Sequence, residues 1–147
     1  MSKDLSLYIA FFSPSIVMRF FDEVALPGGR DSYEISKDDG AYLLQSRFVN
    51  ATENERIHHM TGMTMRTLVT VSMVRPGDVS IVAMVSSVAF RLAHQIRREF
   101  MLVDDLNRII LMRKGHDLIV NDGMEANYEL DIYDLHFEVR QLLLLDI

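Results

Sequence analysis

One stretch decides the fold that this sequence predicts: Arg75–Asp105, which reads RPGDVSIVAMVSSVAFRLAHQIRREFMLVDD. A Pro-Gly turn precedes Asp78, whose carboxylate can accept hydrogen bonds from the first free N–H groups of a helix and meets the positive end of its dipole. Apolar residues then recur at three- and four-residue steps, the spacing that places side chains on one helical face. They are Ile81, Val85, Val88, Leu92 and Ile96. The stretch predicts a packed helix of about 20 residues, with a returning strand over Val79–Val85 as the alternative.

The segments before this helix predict two strands and a shorter helix. Leu5–Phe12 is short, apolar and bounded by a turn signal, as expected of a buried strand. Ser13 then offers an N-cap, and Pro14 suits the first helical position, where its missing N–H costs nothing. Ala41–Val49 shows interrupted apolar alternation and predicts a second strand. The polar spans between these elements predict turns at Arg30–Gly40 and a loop or helical turn at Asn50–His59.

The remainder of the chain favours further strands. Met65–Val74 is the clearest of them, because Val and Thr dominate it and both of its faces are largely apolar. Asn107–Met112 and Asp117–Asn121 lie on either side of Gly115 and predict a hairpin with glycine at a positive φ. Tyr128–Tyr133 alternates apolar with acidic residues, which predicts a half-solvated strand.

The order of these elements predicts the fold class. Strand, helix, strand, strand, helix and strand together match the split βαβ, or ferredoxin-like, arrangement. The expected fold is therefore α+β: an antiparallel sheet with two main helices on one face, plus extra C-terminal strands or a helix. A chain of 147 residues without a linker rich in Pro, Gly or Ser fits one domain over residues 1–147.

Composition excludes several classes of function. The 21 acidic and 15 basic side chains give a net charge of −6, which argues against nucleic acid as the main partner because phosphate binding needs clustered Lys and Arg. Cysteine is absent, so disulfides, thiolate metal sites and cysteine nucleophiles are excluded, and a reducing cytoplasm is the expected location. No apolar stretch is long enough to predict a membrane span. No cofactor is expected, because no phosphate-binding or dinucleotide glycine motif is present.

The sequence carries no catalytic motif, although a few titratable residues could support an enzyme. His94, Asp104 and Asp105 lie near predicted helix and strand ends, where clefts often form. Turn residues are the favoured interpretation of the two aspartates. A small enzyme or ligand-binding domain would place its pocket between helix and sheet. That pocket would be lined by Tyr8, Phe12, Tyr42, Met73 and Met84.

Histidines give little support for a metal site. His58 and His59 are adjacent, so their side chains diverge in most backbones, and no HExxH spacing occurs elsewhere. A solvated loop is the favoured interpretation of this pair, and no metal ion is expected.

Acidic residues are concentrated in the C-terminal part of the chain. Between Asp117 and Ile147, eight carboxylates face a single basic residue, Arg140, so this segment carries about −7. Such a surface attracts a basic protein and speeds the encounter with it. The proposed partner-binding residues are Glu129, Asp131, Asp134 and Glu138. A solvated sheet edge that negative charge keeps soluble is the alternative.

The general build is similar in type to that of immunity proteins of bacterial toxin systems, which are small, acidic, cysteine-free α+β domains without catalytic motifs. This resemblance implies a non-enzymatic protein that uses an acidic face to block its target, a cognate toxin with a basic cleft. It covers no diagnostic residue and transfers no site. The alternatives are the small enzyme described above and a phage or plasmid accessory protein that acts as an oligomer subunit.

The C-terminal tail leads to a prediction about assembly. Leu135–Leu145 fits helix and strand spacing almost equally, and we predict a helix. All four side chains of Leu142–Leu145 are apolar. When one side of this segment packs on the core of the same chain, another apolar side is left uncovered. Burying that remainder against a second copy predicts a homodimer with this segment at or beside the interface.

Overall fold

The structure is a computed structural model that describes residues 4–19, 26–29, 32–37, 40–73, 96–127 and 136–142. The described elements, in chain order, are β1 (Asp4–Ile9), α1 (Pro14–Arg19), β2 (Leu26–Gly29), β3 (Ser32–Lys37), β4 (Gly40–Phe48), α2 (Ala51–Thr61), β5 (Thr67–Met73), β6 (Phe100–Val103), β7 (Ile109–Lys114), β8 (Asp117–Asn121), α3 (Met124–Asn127) and β9 (Glu138–Arg140). The described strands form one sheet in the order β2-β3-β4-β5-β1-β6-β7-β8-β9. None of the described helices is long and apolar enough to cross a membrane.

The centre of this sheet is β1, which is covered on both faces. Leu7 is fully buried and its neighbour Tyr8 is almost so, although the two side chains point to opposite faces of the strand. A row of buried residues crosses the sheet on the Tyr8 face and includes Met101 and Met112. Ile57 of α2 packs onto this row, so α2 covers this face. Burying a side chain of that size stabilises the fold by about 1.5–3 kcal/mol.

Several predicted elements are confirmed. The strand expected at Leu5–Phe12 is β1, and the helix expected to begin at Pro14 is α1. Met65–Val74 contains β5, which lies inside the sheet between β4 and β1 as its apolar faces indicated. The hairpin around Gly115 is formed by β7 and β8, and that glycine has a φ of 61°.

The ferredoxin-like prediction, with two main helices on one face, is wrong. A split βαβ fold has an antiparallel sheet of about four strands, with two main helices packed on one face. Here the nine described strands form one sheet, and the longest described helix, α2, has 11 residues. Among the described strands only β8 and β9 pair in parallel. The observed architecture is a broad mixed sheet with short helices.

Two mistaken element predictions explain part of this error. The span Arg30–Gly40, predicted as turns, contains β3, which forms a hairpin with β2. The polar span Asn50–His59 forms most of α2, whose residues are too hydrophilic to show an apolar stripe. Its helical state comes instead from its ends, where Asn50 and Glu53 form a reciprocal capping box and Gly62 closes the helix at a φ of 76°.

The predicted long helix and tail are only partly described. Most of the helix, as well as Tyr128–Tyr133 and Leu143–Leu145, lies outside the described residues. Phe100, taken as the last residue of that helix, begins β6 instead. Within the tail, Glu138–Arg140 is the strand β9 rather than a helix, because its backbone pairs with β8. Leu142 packs beside the core of its own chain.

Candidate functional site

The acidic residues predicted to bind a partner are described only in part. Glu138 lies exposed on β9, where its carboxylate accepts a hydrogen bond from Nη2 of Arg140. Glu129, Asp131 and Asp134 lie outside the described residues. The structure therefore places one member of the set on the surface and leaves the face itself as a prediction.

The two aspartates considered as candidate catalytic residues form a turn. Asp104 is buried between β6 and β7, and its Oδ1 accepts hydrogen bonds from the backbone N–H groups of Leu106 and Arg108, each at 2.9 Å. Its Oδ2 accepts from Nε of Arg108 at 2.8 Å. Asn107 completes the turn with a φ of 59°, and Asp105 is exposed. The carboxylate of Asp104 stabilises the turn, as the favoured interpretation predicted. His94 lies outside the described residues.

Of the five predicted pocket residues, Tyr8 and Phe12 have described side chains. Tyr8 belongs to the packed core, and burial, followed by the nearby carboxylate of Glu53, raises its pKa above the ordinary value of 10.0. A raised pKa keeps the phenol neutral, so it is not poised as a base. Phe12 contacts the ring of Phe11, and the side chains of Tyr42, Met73 and Met84 lie outside the described set.

The predicted absence of a metal site at the histidine pair stays a prediction. His58 and His59 lie exposed near the C-terminal end of α2. In the described part of the chain, no group of three or more His, Asp or Glu side chains could hold a metal ion. His59 also lines a shallow depression of about 830 Å³ on the outer face of α2, together with Thr52, Glu55, Arg56 and Met60. Its polar members are all exposed side chains rather than buried groups aimed at a ligand.

A different surface combines exposed aromatic rings with arginines, and we call Phe11, Phe48, Arg66 and Arg98 the arginine–aromatic end. Phe11 is 57% exposed and Phe48 is 58% exposed. The guanidinium carbon of Arg98 lies 4.0 Å from the ring centroid of Phe11, and that of Arg66 lies 5.8 Å from the ring centroid of Phe48. Such contacts are attractive through the ring quadrupole.

Strand register brings these four residues together. Ile9 at the end of β1 pairs with Thr67 at the start of β5 and with Phe100 at the start of β6, and Thr67 also pairs with Phe48. The residues just beyond these strand ends therefore converge on one end of the sheet. A hydrogen bond joins two of these residues, because Nη1 of Arg66 donates to the carbonyl oxygen of Phe11 at 3.0 Å.

Phe11 has an unusual backbone conformation. Its φ is 70°, in the left-handed region, where a bulky side chain other than glycine is a rare outlier. Such a conformation costs about 1–3 kcal/mol and persists only where neighbouring groups impose it. Here the backbone N–H of Phe12 donates to Ala10, and the Thr67 hydroxyl donates to the carbonyl oxygen of Phe12 at 2.7 Å. These hydrogen bonds hold the strained backbone of Phe11 in place, although its ring is mostly exposed.

Charge is distributed unevenly between the two ends of the sheet. Among the described residues, six basic side chains lie at or beside the strand ends next to Phe11, with Glu53, Glu99 and Asp117 near them; the six are Arg47, Arg66, Arg97, Arg98, Arg113 and Lys114. At the opposite end, which we call the acidic end, the described charged side chains include the carboxylates Asp104, Asp105, Asp122 and Glu125, with Arg108 and Arg140. A chain of net charge −6 therefore has a basic surface beside its exposed rings.

An ion pair stabilises the corner beside Phe48. The two terminal guanidinium nitrogens of Arg47, Nη1 and Nη2, donate to the carboxylate of Glu53, at 2.6 and 2.9 Å. The hydrogen bond from Arg47, together with one from the backbone of Asn50, lowers the pKa of Glu53 below 4.5, while partial burial opposes this shift. The pair joins the end of β4 to the first turn of α2 and positions Phe48 between them.

This ion pair predicts a specific dependence on pH. Because the pKa of Glu53 is lower in the folded state, its contribution is fully present above about 4.5 and is lost as the pH falls through the folded pKa. Glu53→Gln keeps an amide that can complete the capping box but removes the charge. We expect it to lower the free energy of unfolding by about 0.5–1 kcal/mol at pH 7 and by much less at pH 3, measured by urea unfolding. An equal loss at both pH values would contradict the role of the charge.

The sequence reasoning missed the arginine–aromatic end. It placed Phe11 and Phe12 inside a buried strand and gave no role to Arg66 or Arg98. One local signal was available, because Phe-Phe-Ser-Pro puts two large rings at the point where a strand must stop before a helix. Their proximity to Arg66 and Arg98 depends on pairing between distant strands.

Comparison of the chain with protein-family models, with curated proteins and with solved structures gave no match.

Proposed function

We propose that this chain is a non-enzymatic protein-binding protein and that the arginine–aromatic end is its docking surface. The observation that carries the proposal is Phe11, an exposed ring on a strained backbone beneath an arginine. Strain that a fold maintains without burying the side chain suggests selection for function. Aromatic and arginine side chains are also the residues that dominate the energy of protein interfaces.

Three further features support binding rather than catalysis. The buried carboxylate of Asp104 is occupied by its own turn, through three hydrogen bonds. Phe11 and Phe48 are already positioned by Arg98 and Arg66, so a partner would lose little side-chain freedom in contacting them. Arg66 and Arg98 beside the rings favour a partner with carboxylates next to apolar side chains.

Toxin neutralisation is an alternative form of protein binding, in which the acidic C-terminal segment, and not the arginine–aromatic end, contacts the partner. The acidic segment from Asp117 to Ile147 supports it, because a face of about −7 complements a basic cleft. On this form, a gene for a large toxin-like protein lies beside the gene for this chain. Reversing Asp131, Asp134 and Glu138 to lysine should then slow association while the fold is retained. If this triple variant binds unchanged at low salt, the acidic face is not the docking surface.

Site-specific crosslinking tests which surface binds. A photo-crosslinking amino acid replaces Phe48 in one variant and Val139, which is 46% exposed on β9, in a matched control. We expect illumination in the native host to give a discrete crosslinked protein from position 48 and not from position 139. The captured protein is then purified and titrated against the wild type and Phe48→Ala, which should bind about tenfold more weakly. Crosslinks from position 139 alone, or unchanged affinity of the alanine variant, would contradict the proposal.

A further inference from the structure

The turn between β6 and β7 has an exposed apolar tip beside an acidic residue. Leu106 is 62% exposed, the highest value among the described large hydrophobic side chains, and Asp105 next to it is also exposed. The tip is fixed from below by Asp104, whose carboxylate holds the backbone of Leu106 and Arg108. The turn therefore presents a leucine and a carboxylate on a rigid support, a combination that lowers the entropy cost of docking.

This tip and the arginine–aromatic end lie at opposite ends of the same strand. Arg98 comes two residues before β6 begins, and Asp104 follows directly after it ends. The tip belongs to the acidic end, and the rings lie beside the described arginines at the other end. A second copy displaced along the direction of β6 would bring these complementary ends together, apolar group against apolar group and carboxylate against guanidinium.

We propose that the arginine–aromatic end receives the β6–β7 turn of a second copy, so that copies associate head to tail. Leu106 of one copy packs against Phe11 and Phe48 of the next, and the carboxylate of Asp105 accepts hydrogen bonds from Arg98. This inference rests on the proposed function, because it names the occupant of the same docking surface. The contact joins two different surfaces, so it does not close as a two-fold dimer and leads to open chains or rings.

Nucleic acid is a weaker match for this surface. Aromatic rings and arginines also stack on bases, but a net charge of −6 repels a long polyanion. The turn supplies one exposed carboxylate, Asp105, and one exposed apolar side chain, Leu106, which a basic surface with two exposed rings can accommodate. Every copy of the chain carries this turn, so a partner with this chemistry is present in any solution of the protein.

Two dead-end variants test the inference. Phe48→Ser with Arg98→Ser blocks the arginine–aromatic end, and Asp105→Ser with Leu106→Ser blocks the turn. At about 20 mM salt and about 100 µM protein, sedimentation velocity should show concentration-dependent larger species for the wild type and a monomer for each variant alone. An equal mixture of the two variants retains one intact pair of surfaces, so it should give a dimer containing one copy of each and nothing larger.

A matched control variant and a change in salt concentration complete the experiment. Asp122→Ser removes an exposed carboxylate from the acidic end without touching the turn, and it should associate like the wild type. Raising the salt to about 0.5 M should weaken association at least about tenfold. A wild type that stays monomeric, a mixture that forms no dimer, or a closed dimer that survives both double substitutions would overturn the inference.

The remaining outcomes separate this inference from the proposed function. If the wild type is monomeric but the protein captured through position 48 still requires Phe48, the inference is wrong and the proposed function stands. If a fluorescent 20-mer of dT binds the wild type, loses affinity for the Phe48→Ser, Arg98→Ser variant and no self-association occurs, the inference is overturned in favour of nucleic acid. If self-association occurs as described, crosslinking at position 48 in the host should capture the chain itself.

Discussion

Replacing Asp104 by alanine is expected to lower the free energy of unfolding by about 3 kcal/mol. The side chain is buried, and it accepts hydrogen bonds from two backbone N–H groups and from Arg108. Alanine would leave those donors without their acceptor in a turn that also contains Asn107 at a positive φ. The loss should appear in urea unfolding at neutral pH as a lower midpoint with an unchanged slope.

The neighbouring residue provides the control for this experiment. Asp105 is exposed, so Asp105→Ala should change the unfolding free energy by less than about 0.5 kcal/mol. Asp104→Asn keeps one oxygen that can accept from the backbone, so it should fall between the wild type and the alanine variant. A loss of less than about 0.5 kcal/mol for Asp104→Ala would mean that the turn does not depend on this carboxylate.

Removing both exposed rings is expected to weaken partner binding by about 100-fold. Phe11→Gly with Phe48→Ala deletes the two aromatic anchors while leaving Arg66 and Arg98 in place. Each anchor of this type contributes about 1–2 kcal/mol when an interface buries it, and 2.7 kcal/mol corresponds to about a 100-fold change in affinity. Calorimetric titration measures the effect. The binding partner is either the protein captured through position 48 or, for self-association, a dead-end variant of this chain.

The matched control keeps the number of substitutions equal but moves them to another surface. Leu142→Ala with Val139→Ala alters apolar residues near β9, away from the arginine–aromatic end. This control should bind within about threefold of the wild type. If the control weakens binding as strongly as the loss of the two rings, the docking surface lies at the C-terminal segment, as the sequence alone predicted.

Local patterns in the sequence predicted individual strands well. Val and Thr in Met65–Val74 are enough to specify an interior strand, and Gly115 is enough to specify the hairpin between β7 and β8. Burial on a sheet face or glycine at a turn is a property of a few adjacent residues. These elements could therefore be recognised without knowing the rest of the fold.

The order of the sheet could not be predicted, because it depends on elements whose stability is not visible as apolar periodicity. The helix α2 is polar and is specified by its caps, Asn50 with Glu53 at one end and Gly62 at the other. The strand β3 lies in a span full of turn-forming residues and gains its pairing from β4. The span of α2 was predicted as a loop or helical turn, and the span of β3 was predicted as turns. Without these two elements, the remaining order matched the split βαβ arrangement.

The candidate site was hidden for a related reason. Arg66 and Phe11 are 55 residues apart in the sequence and meet only because β1 and β5 pair in one register. Phe11 resembles a core residue in composition, and only its positive φ and its exposure distinguish it from one. Backbone conformation at a single residue is set by the surrounding frame, so the sequence gives no direct sign of it.

The unfolding free energies of Phe11→Gly and Phe11→Ala, measured side by side with the wild type, test most directly whether Phe11 is held for binding rather than for stability. Glycine relieves the left-handed strain and loses only exposed ring contacts, so Phe11→Gly should lie within about 1 kcal/mol of the wild type. Phe11→Ala keeps the strain and should be about 1 kcal/mol less stable than the glycine variant. A loss of about 3 kcal/mol or more for Phe11→Gly, as for a core phenylalanine, would show that the ring supports the fold and would contradict its role in docking.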